Sequence, residues 1–81
     1  MAERKNKFQD NDCVYIKKPV RALGLGDDYK DFPAGTIGGI IDSYPGAYRV
    51  EFSGDPAEDG FIYKYYEITM KEEDLTLHSR G

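Results

Sequence analysis

GTIGGIIDSYPGAYRVEF, residues Gly35 to Phe52, reads as two strands joined by a tight turn, and this reading sets the architecture of the whole chain. Tyr48-Arg49-Val50-Glu51-Phe52 alternates cleanly, which sends Tyr48, Val50 and Phe52 to one face of a sheet and Arg49 and Glu51 to the other. Tyr44-Pro45-Gly46-Ala47 places Pro and Gly in the central positions of a turn, the composition of type II. Gly35 to Ser43 forms the preceding strand, with Gly38 and Gly39 adjacent in its middle. Paired glycines weaken a flat strand but permit the coil and bulge that a small barrel needs where one strand serves both halves of its sheet.

Outward from this hairpin, Asp12 to Lys18 is a strand with Val14 and Ile16 toward the core and Cys13, Tyr15 and Lys17 away from it; Pro19 ends it. Pro19 to Ala34 carries Gly24, Gly26, Asp27, Asp28 and Pro33 and reads as a long loop whose Leu23 and Leu25 fold over one open end of the barrel. Ser53 to Gly60 reads as an acidic loop. Phe61 to Met70 is the next strand, with Tyr66, Ile68 and Met70 on one face and Tyr63, Tyr65, Glu67 and Thr69 on the other. Lys71 to Asp74 looks like one helical turn delivering Leu75 and Leu77 as a short closing strand. The expectation is an all-β domain over residues 12–77, a five-stranded, partly open barrel, with a flexible tail at 1–11 and another at 78–81. Val14, Ile37, Val50, Phe52 and Ile68 should converge in its core.

The chain of 81 residues holds room for one domain and one core. Its single cysteine, Cys13, excludes an internal disulfide, and without Cys/His clusters no zinc framework is expected. No cofactor or metal site is read from the sequence. The basic N-terminal residues lack the apolar run of a secretory signal, and no apolar stretch approaches a membrane span, so a cytoplasmic location is expected. A formal net charge of −4 disfavours a generic grip on phosphate backbones.

The order of D-x-V-x-I (Asp12, Val14, Ile16), a long loop, G-T-I (Gly35, Thr36, Ile37), a tight turn, Y-x-V-E-F (Tyr48, Val50, Glu51, Phe52) and a final Asp74-Leu75 resembles the SH3-like small barrels. Within them it is similar to a family of short uncharacterised bacterial proteins sharing the G-T-I and Y-x-V-E-F core, and more loosely to the KOW-type barrels of ribosomal and transcription proteins. The resemblance implies a five-stranded SH3-like barrel with a long first loop and a short helical turn before the last strand. It says little about task, because the matching positions make core and turns. Peptide-binding SH3 domains wall their groove with Trp, and this chain has none.

Tyrosine is the compositional excess, seven residues. Tyr15, Tyr63 and Tyr65 fall opposite the expected core, and Tyr29 and Tyr44 in loops. Exposed Tyr offers large amphipathic contact area, which points to a protein interface made of Tyr15, Tyr63, Tyr65 and Glu67; cross-strand aromatic pairing explains the same residues structurally. The acidic loop residues Asp55, Glu58 and Asp59 suit a basic partner, as in an inhibitor or immunity protein. They lack the spacing of a calcium loop. The reading is a non-enzymatic protein-binding module, with homo-oligomers allowed through an exposed strand edge. The alternative is nucleic-acid binding through Tyr15, Lys17, Lys18 and Arg21, for which a solvated edge with gatekeeping lysines is the simpler explanation. Cys13 and His78 are the one conceivable nucleophile and base, without a third orienting group.

Overall fold

The computed structural model describes residues 6–24, 28–56 and 63–81, with all side chains except those of 54–56, 63 and 64. Seven strands are found among them: β1 (Cys13–Ile16), β2 (Val20–Gly24), β3 (Tyr29–Phe32), β4 (Ile37–Tyr44), β5 (Ala47–Pro56), β6 (Tyr63–Lys71) and β7 (Leu75–Ser79), with a 3-10 turn at Glu72–Asp74. They form one antiparallel sheet in the order β3-β2-β6-β5-β4-β1-β7. Every strand contributes to a single buried cluster, so the sheet curls into a half-barrel around its own inward face.

The β4–β5 hairpin is built as its sequence requires. Gly46 takes φ 77°, the left-handed conformation demanded at the third position of a type II turn. Tyr44 then pairs with Ala47 and Ser43 with Tyr48, and the register shifts between Ile40 and Asp42. That bulge turns Ile41 out to solvent while Ile40 is buried. Tyr48, Val50 and Phe52 are fully buried, as alternation predicts, and Tyr66 and Met70 join them from β6. Ile68 is partly buried against the same cluster.

Several expectations are corrected here. Residues 19–34 are not a loop: β2 and β3 form a hairpin, with Val20 paired to Phe32 and Ala22 to Lys30, closed by the Gly24 amide donating to the Asp28 carbonyl at 2.7 Å. Val20, Ala22 and Phe32 face the core, whereas Leu23 is exposed and Leu25 lies outside the described residues. The hairpin raises the strand count above five. Ile37, expected in the core, is 47% exposed, because it pairs with outward-facing Tyr15 and leaves the inward position to Gly38. β5 also continues past Phe52 to Pro56, through the first residues of the segment read as an acidic loop.

Residues beside the expected barrel limits pack against it. Phe8 is buried and meets the Tyr48 ring edge-on, centroids 5.3 Å apart. A buried phenol needs a partner for its hydroxyl. Tyr48 Oη donates to Glu72 Oε2 at 2.6 Å and accepts the Phe8 amide at 3.1 Å, and Glu72 also accepts the Lys7 amide. At the other end, buried Asp12 accepts the amides of Gln9 (2.9 Å) and Gly81 (3.1 Å) and a bond from Arg80 Nη1 (2.7 Å). The Gln9 amide, aided by Gly81 and Arg80 and opposed by burial, holds the Asp12 carboxyl below its ordinary value. Asp12 therefore links the 6–11 segment to the last residues, 80–81, while Glu72 and Tyr48 hold the Lys7 and Phe8 amides.

Candidate functional site

The outward face of the half-barrel follows from register. Each inward core residue leaves its strand neighbours pointing to solvent, so the pairings define rows across the outer surface. One row runs Ser79, Cys13, Gly39, Glu51, Glu67, Leu23, Tyr29, each paired with the next across β7, β1, β4, β5, β6, β2 and β3. Two residues along, Tyr15 pairs with Ile37 and Ser53 with Tyr65. Among the described residues the exposed large apolar side chains are Tyr15, Leu23, Tyr29, Ile37, Ile41 and Tyr65, which belong to this face or its margin.

Two features interrupt that apolar field. Glu51 and Glu67 stand directly opposite one another, a like-charge pairing that costs stability in a sheet. Arg49 reaches Glu67 at 3.9 Å, at the limit of an ion pair and with both side chains over 40% exposed, so it offsets little of this. Beside them Gly39 leaves a gap: a side chain there would meet nothing within 4 Å. Gly39, paired with Cys13 on one side and Glu51 on the other, thus leaves bare backbone at that point of the face.

The sequence-derived interface residues divide accordingly. Tyr15, Tyr65 and Glu67 share the outward face. Tyr63 pairs with Pro56 through its backbone, and Asp55 lies in β5, but their side chains are outside those described; Glu58 and Asp59 lie outside the described residues altogether. Ile37 and Leu23 belong to the surface although the sequence reading did not place them there. Glu51 was read as outward in the Y-x-V-E-F alternation, and its position against Glu67 needed the β5–β6 register.

The basic set is less coherent. Lys18 pairs with Asp74 at 3.1 Å and Arg21 with Asp31 at 3.0 Å, and β2 is separated from β1 in the sheet by β6, β5 and β4. Lys17 is exposed near them. His78 stacks edge-on with Tyr15 at 4.9 Å and meets Ser79 Oγ at 3.1 Å. Tyr44 donates to Asp42 at 3.1 Å, a bond that raises its hydroxyl above its ordinary value. Among the described residues no group of three or more His, Cys, Asp or Glu is placed to hold a metal ion, and no helix is long and apolar enough to cross a membrane.

No protein-family model matches this chain, and neither a curated protein nor a solved structure matches it.

Proposed function

We propose that the chain is a non-enzymatic protein-binding module, an adaptor, accessory subunit or inhibitor of the immunity type, built on an SH3-like barrel and gripping its partner with the outward face of the sheet. The observation that carries this reading is the row in which Glu51 and Glu67 face each other beside the bare backbone of Gly39, flanked by exposed Tyr15, Ile37 and Tyr65. A monomer gains nothing from opposing carboxylates on an apolar surface. A partner carrying Arg or Lys relieves the repulsion, lays its aliphatic stem over Gly39 and buries the surrounding rings. The negative net charge would speed encounter with such a partner.

Nucleic-acid binding of the KOW type draws less support, because Lys18 and Arg21 are engaged by carboxylates and the broad outer surface is acidic and apolar. Photo-crosslinking from position 37 in cells, followed by reconstitution with the captured protein, tests the proposal. The expected result is one dominant adduct whose purified form binds at least ten-fold more weakly to Glu51→Lys/Glu67→Lys, with the on-rate falling as salt rises. Equal binding by that variant, or adducts only with RNA, would refute it.

A further inference from the structure

Residues 6–8 form a docked arm, and the turn that joins them to β1 is the strained part of the chain. Among the described residues Asn11 is the one non-glycine position with a left-handed backbone, φ 73°. It stands third in the turn Gln9-Asp10-Asn11-Asp12, which the Asp12 amide closes by donating to the Gln9 carbonyl at 3.1 Å. Asn tolerates that conformation better than most side chains and less well than glycine.

The arm is held by groups distant in the chain. The Phe8 ring is buried against Tyr48, and the Phe8 amide donates to Tyr48 Oη at 3.1 Å. The Lys7 amide donates to Glu72 Oε2 at 3.2 Å, Asn6 Nδ2 donates to the Tyr44 carbonyl at 3.0 Å, and Arg80 Nη1 donates to the Lys7 carbonyl at 3.3 Å. All these partners lie between residues 44 and 80. None of the contacts depends on which chain supplies residues 6–8. Two further bonds lie within the turn: Asp12 amide to Gln9 carbonyl, and Gln9 amide to Asp12 Oδ2 at 2.9 Å.

We infer that two copies of this chain exchange their N-terminal arms. The turn at Gln9–Asp12 opens, and Phe8 of each copy fills the socket made by Tyr44, Tyr48 and Glu72 of the other. What the socket already holds selects the occupant: it is shaped and hydrogen-bonded to residues 6–8 of this sequence, and a second copy carries the same residues. Closed and exchanged forms share these arm contacts and differ at the turn. There, exchange releases Asn11 from its left-handed backbone and gives up the two bonds between Gln9 and Asp12, whose carboxylate keeps Arg80 and the Gly81 amide. Opening is local, so interchange proceeds by arm release and the dimer is populated by raising concentration. The exchange does not rest on the reading of the outward face.

Sedimentation velocity over a range of protein concentrations, with NMR contacts filtered to those between isotopically labelled and unlabelled chains, tests it. The expected result is a dimer whose fraction rises with concentration and in which the Phe8 ring of one chain contacts the Tyr48 ring of the other. Asn11→Gly, which relieves the turn and leaves the arm unchanged, should weaken the dimer roughly ten-fold, the scale of left-handed strain in two turns. Asn11→Val, a β-branched residue that resists a positive φ, should strengthen it. A monomer at every concentration, a dimer without the Phe8–Tyr48 contact between chains, or a dimer whose affinity Asn11→Gly leaves unchanged would overturn the inference. The first two readouts use the parent protein, so they stand even if a variant fails to fold.

Discussion

Gly38 and Gly39 are neighbours in the chain and opposites in space. A β-carbon on Gly38 would stand 2.6 Å from Val50 Cγ1 and 2.8 Å from Phe52 Cε1, both on fully buried side chains that have nowhere to retreat. One on Gly39 would meet nothing within 4 Å. Gly38→Ala is therefore expected to cost roughly 1–3 kcal/mol by overpacking. Gly39→Ala should stabilise by about 0.5 kcal/mol by restricting the unfolded chain. Urea midpoints of the two variants check this, and a larger loss for Gly39→Ala would show that the faces have been assigned the wrong way round. The sequence marked the pair as a place of bending. Which glycine is pressed against the core depended on the pairing of Val14 with Gly38 and Tyr15 with Ile37, a relation between segments more than twenty residues apart.

Among the elements, β5 and β6 were legible because each carries large apolar residues at every second position, a signal strong enough to survive without knowledge of partners, and β4 because the Pro-Gly turn that follows it requires a partner strand. The β2–β3 hairpin was not. Its inward positions on β2 are Val20, Ala22 and Gly24, two of them too small to register as a hydrophobic face, and its turn region is rich in Gly and Asp. The small residues are there because large ones sit opposite. Phe32 stacks on Phe52 at 4.7 Å and meets Tyr66 edge-on at 5.8 Å, and a β-carbon on Gly24 would lie 2.8 Å from the Tyr66 ring. Phe32 is accordingly the anchor of the hairpin. Phe32→Ala is expected to lose roughly 3–5 kcal/mol. Arg21→Ala on the same hairpin should leave stability nearly unchanged, because its ion pair with Asp31 is exposed. Thermal melts of both distinguish a packed hairpin from a surface loop, for which the two variants would behave alike.

At the scale of the molecule, Asp12 joins segments from both sides of the barrel through the amides of Gln9 and Gly81 and the guanidinium of Arg80. These bonds favour the carboxylate, so its folded value lies below the ordinary 3.8. The resulting stability is fully present above that unfolded value and is lost as pH falls through the lower, folded one. Asp12→Asn should cost about 2 kcal/mol at pH 7, the scale of hydrogen bonds to a buried charged group. The difference from the parent should shrink as pH falls below 3.8. Urea titrations across that range measure it, and a gap that stays constant with pH would exclude the carboxylate as its source. The sequence alone determined that the chain is all-β, where its central hairpin turns, and that Tyr48, Val50 and Phe52 enter the core, because turn chemistry and period-two alternation are properties of adjacent residues. Only the tertiary structure decided that Phe8 packs against Tyr48 and that Asp12 binds both terminal segments, that Ile37 faces solvent, and that Glu51 stands against Glu67. Those facts depend on the register between strands, which no single segment encodes.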